Sequence, residues 1–221
     1  TLSGKYSPEV LSLVREIIEK NGQEMIEIKA EDERLLEKAA QEMDFVGMNY
    51  YFSKFMRGYE GKSETFHNGT GEKGSSVSRL QGVGEEVHRK DIPSTDWDWP
   101  IYPKGMFDQL SRIKNHYKWN KEVYITENGM GCKDKFLEDK QTVEDDERID
   151  YLQKHMEEVA KAIEAGVNVK GYFVWSLQDM FSWTNGYSKR YGLFYVDFET
   201  QKRYPKKSAY WYKKVSETKE V

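Results

Sequence analysis

Three short apolar segments, separated by amphipathic helices, constrain the fold of this chain more than any other feature of its sequence. Residues 44–52, 123–126 and 169–177 are rich in β-forming side chains and are predicted to be buried strands. Strands that alternate with helices favour right-handed βαβ units and a parallel sheet. We therefore predict an α/β fold in which these three strands lie side by side.

The helices are predicted from their capping residues and from apolar periodicity. Ser7-Pro8 begins the first helix and Asn21-Gly22 ends it. Further helices are predicted at residues 31–42, 103–117, 146–165 and 205–218, and a short strand at residues 193–198. Residues 53–100 are punctuated by glycine, and we interpret them as an excursion over one face with room for a hairpin and not as a second domain.

Charge and composition exclude several classes of protein. The formal net charge of -4 argues against a nucleic-acid partner. No apolar run approaches the ~18 residues of a membrane span, so we expect no membrane partner. The chain opens without Met or an apolar leader, like the middle of a longer protein. Cys132 is the only cysteine, which fits a reducing compartment, and no base is placed near it to make it a nucleophile.

Each predicted core strand ends in side chains that can carry chemistry. Asn49-Tyr50-Tyr51 ends the first strand, Glu127 the second and Trp175-Ser176 the third. The carboxyl ends of neighbouring parallel strands converge on one rim. Asparagine can bond sugar hydroxyls, tryptophan offers an apolar face to a sugar ring, and tyrosine can donate to a carboxylate. These residues indicate a carbohydrate cleft, although each aromatic side chain could equally fill the core.

Three motifs carry a resemblance to a known family. Gly-Met-Asn-Tyr-Tyr at residues 47–51, Ile-Thr-Glu-Asn-Gly at 125–129 and Gly-Tyr-Phe-Val-Trp-Ser-Leu at 171–177 resemble, in that order, three blocks of the family 1 glycoside hydrolases. The resemblance runs through the whole chain but covers the C-terminal half of such an enzyme. It implies a partial TIM (β/α)8 barrel, roughly the last three βα units with a C-terminal helix. Residues 1–221 would then be the C-terminal half of a single (β/α)8 glycosidase domain.

The resemblance also implies catalytic roles. Glu127 corresponds to the family's nucleophile, Tyr51 or Tyr50 would orient it, and Asn49 and Trp175 would contact the sugar in the cleaved subsite. Retaining glycosidases need a second carboxylate ~5 Å from the first. In this family it lies in an Asn-Glu-Pro block, which this sequence lacks. We therefore expect a chain that begins after the fourth strand of the barrel and is inactive alone.

One loop carries donors suited to an anion. Ser182, Lys189 and Tyr191 supply a hydroxyl, an ammonium and a phenol, which suit a phosphate dianion, although such residues are ordinary at a protein surface. Arg190 would face the other way from Lys189 and pair with an acid. The pattern, with no acid near Ser182, resembles the family members that act on 6-phospho-β-glycosides. It implies a phosphorylated disaccharide substrate and a cytoplasmic protein.

The expected sugar follows from the residue after Ser182. Trp183 and the tail at residues 203–214 resemble the branch that acts on 6-phospho-β-galactosides such as phosphorylated lactose. An indole N–H could bond the axial O4 of galactose. The 6-phospho-β-glucoside branch, with a smaller residue there, is the nearest alternative. The sequence is also compatible with a sugar-phosphate-binding fragment without activity and with an unrelated α/β domain.

No metal or other cofactor is expected. The four histidines, His67, His88, His116 and His155, show no metal-ligand spacing, and the chemistry needs no metal. His155 and Glu158 are expected on the solvated face of the helix at residues 146–165. Barrel strands without neighbours would expose sheet edges and apolar faces, so we expect possible self-association through them.

Overall fold

The computed structural model describes residues 2–25, 27–66 and 76–221. Part of the predicted excursion, residues 67–75, lies outside the described residues, and His67 with it. The helices are α1 (Pro8–Lys20), α2 (Ala30–Glu42), α3 (Lys104–Asn115), α4 (Asp146–Glu164) and α5 (Lys207–Thr218). The strands are β1 (Phe45–Asn49), β2 (Met56–Arg57), β3 (Glu64–Phe66), β4 (Val77–Leu80), β5 (Gly84–Glu86), β6 (Glu122–Asn128), β7 (Val169–Val174), β8 (Phe194–Val196) and β9 (Arg203–Pro205).

A three-stranded parallel sheet in the order β1-β6-β7 forms the centre of the fold. Val46 pairs with Val123 across β1 and β6, and Tyr124 pairs with Gly171 across β6 and β7. Helix α3 lies between β1 and β6 in the chain, and α4 lies between β6 and β7. The predicted parallel arrangement is confirmed, and the strands that the structure describes do not close into a barrel.

Helices α3 and α4 cover the sheet with the apolar stripes that their sequences predict. Met106 and Leu110 of α3 and Val159 of α4 are buried against Val123 and Ile125 of β6. Met106 and Leu110 are four residues apart, which places them on one face of α3. A second apolar cluster lies beyond the carboxyl ends of the strands and contains Met130, Cys132, Tyr151, Leu152 and Leu193. Burial raises the pKa of the Cys132 thiol, which agrees with its exclusion as a nucleophile.

The two helices that precede β1 form as predicted but bury little. Ser7 caps α1 by accepting a hydrogen bond from the backbone nitrogen of Val10 at 3.4 Å. Neither α1 nor α2 contains a buried residue. Leu13 of α1 is 51% exposed, and Leu35 of α2 is 67% exposed. Ile17 of α1 and Leu36 of α2 are half-buried, so the apolar sides of both helices are only partly covered by the described residues.

The excursion is more structured than predicted. It forms a four-stranded antiparallel sheet in the order β2-β5-β4-β3, so the expected hairpin is one part of a larger unit. Strand β9, which pairs antiparallel with β8, was also not predicted. These strands have two to four residues, too few for a period to emerge. In the described part of the chain, no helix has the length and apolarity that a bilayer crossing requires.

Candidate active site

The carboxyl ends of the three parallel strands lie side by side. Asn49 is the register partner of Glu127 across β1 and β6, and the backbone nitrogen of Tyr50 donates to the Glu127 carbonyl at 3.0 Å. The backbone nitrogen of Trp175 donates to the Asn128 carbonyl at 2.9 Å. The sheet therefore brings Asn49, Glu127 and Trp175 to one edge, as parallel pairing requires.

The carboxylate of Glu127 contacts one of the two candidate tyrosines. The Tyr51 hydroxyl donates to Glu127 Oε2. Burial, together with the hydrogen bond to the Glu127 carboxylate, raises the pKa of Tyr51, so its hydroxyl keeps its proton and remains a donor. The Tyr50 hydroxyl instead donates to the Tyr102 carbonyl at 2.7 Å and lies 2.8 Å from Ser53 Oγ.

Asn49 and Trp175 border the same strand ends. Asn49 is exposed, and its Oδ1 accepts from Thr126 Oγ1 at 2.6 Å. Trp175 is half-buried, and the peptide bond between it and Ser176 is cis. A Cβ at Gly129 would lie 2.0 Å from the Trp175 carbonyl oxygen, so only glycine lets the two segments approach this closely.

Behind the carboxylate, Asn128 is the centre of a buried hydrogen-bond network. Its Nδ2 donates to the Tyr50 carbonyl at 2.6 Å and to the Tyr151 hydroxyl at 3.2 Å, and its Oδ1 accepts from the Tyr172 hydroxyl. The Tyr151 hydroxyl donates in turn to the Tyr51 carbonyl at 2.6 Å. Asn128 was not among the site residues predicted from the sequence. Its side chain in fact joins β1, β6, β7 and α4 next to Glu127.

The expectation for His155 was wrong, because this residue is fully buried. It lies four residues after Tyr151, and α4 turns that face toward the core. Its Nδ1 lies 2.7 Å from the Tyr151 carbonyl oxygen, and its ring centroid lies 4.0 Å from that of Tyr151. Burial lowers the pKa of His155 to about 4, so the ring is neutral near pH 7.

The three candidate anion-binding residues differ in their surroundings. Burial raises the pKa of Tyr191, and the nearby side chain of Ser182 opposes that rise. Lys189 is 1% exposed, although its sequence context suggests an ordinary surface lysine. Trp183, next to Ser182 in the chain, is 96% exposed, so its indole lies in solvent.

Aromatic rings surround the ammonium group of Lys189. Its Nζ lies 3.6 Å from the ring centroid of Trp99, 5.2 Å from that of Trp97 and 5.1 Å from that of Tyr191. Among the residues that the structure describes, no carboxylate lies within 4.0 Å of it. Burial lowers the pKa of Lys189 to about 7. In the described part of the chain, this cationic group is therefore buried among aromatic rings and has no carboxylate within salt-bridge distance.

Trp99 joins this lysine to the candidate nucleophile. Its ring centroid lies 5.4 Å from that of Tyr51, whose hydroxyl contacts Glu127. Neither Trp97 nor Trp99 was among the residues predicted from the sequence. They lie in a turn in which Asp98 has a positive φ, so no strand or helix period marked them. A cleft of about 300 Å³ opens beside them and is lined in part by Phe52, Lys54, Trp97, Trp99, Asn185 and Lys189.

A buried ion network supports the loop that carries Ser182, Lys189 and Tyr191. Asp179 accepts from Lys206 Nζ at 2.8 Å, from Arg190 Nη1 at 3.0 Å and from the Gly192 nitrogen at 2.9 Å. Arg190 thus pairs with an acid, as predicted. Lys206 also contacts Asp134, which pairs with Arg148. Within the described ranges, no group of three or more metal-ligating side chains is suited to a metal ion.

Comparison with known proteins gives a consistent result. The whole chain, residues 1–221, matches the model of glycosyl hydrolase family 1. It is 57% identical to a 6-phospho-beta-galactosidase of Staphylococcus haemolyticus and 56% identical to one of Staphylococcus aureus, over all 221 residues. The chain covers 47% of each, so it spans about half the length of these relatives.

Solved structures agree with this assignment. A family 1 β-glucosidase from Thermotoga maritima is 36% identical with a TM-score of 0.77, and the aligned region covers 99% of this chain and 42% of the other. The same enzyme in complex with isofagomine lactam is 37% identical with a TM-score of 0.75. The fold is therefore part of the (β/α)8 architecture of these enzymes. This chain belongs to glycosyl hydrolase family 1.

Proposed function

We propose that this chain is the C-terminal half of a (β/α)8 glycosidase domain that hydrolyses 6-phospho-β-D-galactosides with retention of configuration. One observation carries the proposal. Glu127 contacts Tyr51, the Tyr51 ring contacts Trp99, and Trp99 contacts the ammonium of Lys189. The rings of Tyr51 and Trp99 therefore connect a carboxylate suited to attack with a buried cationic group that has no carboxylate within 4.0 Å among the described residues. That arrangement suits a sugar with a reactive carbon at one end and a phosphate at the other.

In this proposal Glu127 is the nucleophile. Its carboxylate attacks the anomeric carbon, a glycosyl ester forms, and the bond to the leaving oxygen breaks. A carboxylic acid from outside this sequence protonates that oxygen, and water later hydrolyses the ester. Tyr51 keeps Glu127 ionised and aimed through its donated hydrogen bond. Asn49 and Trp175 bind the sugar in the cleaved subsite.

Lys189, Ser182 and Tyr191 bind the 6-phosphate in this scheme. The substrate is a phosphorylated disaccharide such as phosphorylated lactose, and the products are galactose 6-phosphate and glucose. The name of the relatives at 56–57% identity supports the galactoside. Trp183 is 96% exposed, so its contact with a bound sugar is unsupported and the activity test includes a 6-phospho-β-glucoside as a second substrate. A substrate made by phosphorylating uptake places the enzyme in the cytoplasm.

Fragment complementation tests the activity. The purified chain should not hydrolyse 2-nitrophenyl 6-phospho-β-galactoside, because half of the carboxylate pair is missing. Mixing it with the part of the S. haemolyticus relative that it does not cover should restore hydrolysis, and Glu127→Gln should abolish it. Faster cleavage of the 6-phospho-glucoside would favour the alternative sugar. If the chain alone hydrolyses the substrate, and Glu127→Gln removes that activity, the prediction that the isolated chain lacks the acid/base carboxylate is wrong.

A mechanism-based label tests the nucleophile without the second carboxylate. Fluoride leaves without protonation, so 2-deoxy-2-fluoro-6-phospho-β-galactosyl fluoride needs only a nucleophile and a binding site. We expect one glycosyl adduct, located on Glu127 by peptide mass spectrometry. Labelling should be slower with the unphosphorylated reagent and absent in Glu127→Gln. Phosphate-dependent binding of galactose 6-phosphate without labelling would favour a non-enzymatic role, that of a sugar-phosphate-binding fragment.

The same proposal includes self-association of the isolated chain. Phe45 on β1 and Phe173 on β7 are 52% and 55% exposed, and Leu13 of α1 and Leu35 of α2 are 51% and 67% exposed. Such surfaces favour pairing between copies. Sedimentation should show a dimer or larger species, and a monomer at high concentration would contradict this. Nucleic acid and membranes are not partners in this proposal.

A further inference from the structure

Gly131 lies directly against the side chain of Lys189. A Cβ built on Gly131 would lie 2.4 Å from both Cγ and Cε of Lys189 and 2.9 Å from its Cδ. Real Cβ atoms essentially never approach other atoms this closely. Gly131 does not have a positive φ, so its backbone conformation is open to any residue. The position therefore requires glycine for space, and the atoms that need the space are the methylenes of one lysine.

The backbone of Lys189 is not free to retreat from Gly131. The next residue, Arg190, exchanges two backbone hydrogen bonds with Cys132, at 2.9 and 3.1 Å. The Arg190 carbonyl also accepts from Arg148 Nη2 at 2.9 Å, and the Arg190 side chain pairs with Asp179. These contacts hold residues 189 and 190 beside residues 131 and 132. A conflict at Gly131 must therefore be relieved by rotation of the Lys189 side chain.

The other side of the lysine is also occupied. Its Nζ lies 3.6 Å from the ring centroid of Trp99, and the residue is 1% exposed. The stem of Lys189 is thus enclosed between the backbone of Gly131 and the aromatic rings. Rotation of the stem away from Gly131 would move the ammonium from its present position.

We propose that Gly131 is a specificity-determining residue. Because it has no side chain, it leaves the space in which the Lys189 side chain extends toward the substrate phosphate. This inference rests on the proposed function, in which Lys189 binds that phosphate. Gly131 acts through Lys189 and is a positioning residue. The inference extends the anion site by one residue that offers the substrate no polar side chain.

A double-mutant cycle tests the inference by titration calorimetry of the full chain with galactose 6-phosphate. Gly131→Ala should weaken binding by ~tenfold or more, because a hydrogen bond to a charged group contributes about 1.5–3 kcal/mol. Lys189→Ala should weaken it similarly, and Gly131→Ala should cost nothing further in the Lys189→Ala background. Gly58→Ala is the matched control, since no atom lies within 4 Å of a Cβ at Gly58. It should bind like the wild type.

The outcomes separate this inference from the proposed function. If the wild-type chain does not bind galactose 6-phosphate, the proposed function fails. If it binds and Gly131→Ala binds equally well, only the role of Gly131 fails. An equal cost of Gly131→Ala in the Lys189→Ala background would also overturn that role. Should Gly131→Ala fail to fold, folding of the Gly131→Ala/Lys189→Ala double variant supports the steric conflict, and its failure overturns it.

Discussion

Two lysines of this chain are equally buried and have opposite surroundings. Lys206 is fully buried, and its ammonium contacts the carboxylates of Asp134 and Asp179. Lys189 is 1% exposed, and its ammonium contacts the rings of Trp97, Trp99 and Tyr191. A buried charge is costly unless it is paired. The first lysine therefore has its counter-charge within the protein, whereas we propose that a ligand supplies the counter-charge of the second.

The pairing of Lys206 is part of a balanced cluster. Three bases, Arg148, Arg190 and Lys206, contact three acids, Asp134, Asp145 and Asp179. Such a cluster joins the start of α4, the start of α5 and the loop after β7. The cluster explains how the loop after β7, which contains glycines and exposed aromatic residues, keeps a defined conformation. Burial alone therefore does not identify a functional lysine, and the charge of its neighbours does.

The largest predicted effect is a contrast in stability. Lys206→Met should lower the free energy of unfolding by about 3–5 kcal/mol, because it leaves the buried cluster with three acids and only two bases. Lys189→Met should be neutral or stabilising, because it removes a buried charge that has no partner and keeps the apolar stem. Denaturant unfolding at pH 6 would measure both. Equal destabilisation by the two variants would contradict the comparison.

His155 extends the comparison to a third buried basic group. Its pKa is lowered from 6.5 to about 4, so the unfolded chain binds a proton between these pH values and the folded chain does not. Stability should therefore be lost as pH falls from 6.5 to 4, by about 3 kcal/mol in total.

Unfolding curves across this range, compared with His155→Gln, measure the effect. His116→Gln is the control, since His116 is exposed. Loss of stability of the same size in the His155→Gln variant would assign the acid sensitivity to other groups.

The smallest predicted effect is the pH dependence of ligand binding, and it sharpens the assignment of Lys189. Galactose 6-phosphate becomes a dianion above about pH 6. Lys189 loses its proton above about pH 7, because burial lowers its pKa to that value. Affinity should be greatest between these values and fall by up to ~tenfold per pH unit above pH 7. Calorimetry from pH 5 to 9 would measure this.

Lys189→Met should bind weakly and lose the alkaline limb of that profile. If the affinity of Lys189→Met still falls above pH 7 as in the wild type, another group titrates there. Lys189 and Lys206 would then not differ in function as proposed.

The elements near the sheet could be predicted because their signals are local. Strand and helix periodicities predicted β1, β6, β7, α3 and α4, and the family motifs located Glu127 at a strand end. The role of Asn128 was not predictable, since its partners Tyr151 and Tyr172 lie 23 and 44 residues away in the chain. The prediction for His155 was wrong because a histidine in a polar helix is normally expected to be exposed. His155 is four residues from Tyr151 and therefore lies on the same buried face of α4.

By itself the sequence determined the parallel α/β arrangement, the family and the three strand ends that carry Asn49, Glu127 and Trp175, because periodicity and short motifs depend on neighbouring residues. Only the tertiary structure decided that Tyr51 rather than Tyr50 contacts Glu127 and that Trp99 connects it to Lys189. It also decided that, among the described residues, Lys206 contacts carboxylates and Lys189 has none within 4.0 Å. The physical reason is that the free energy of a buried charge depends on which distant groups the fold brings within a few ångströms of it.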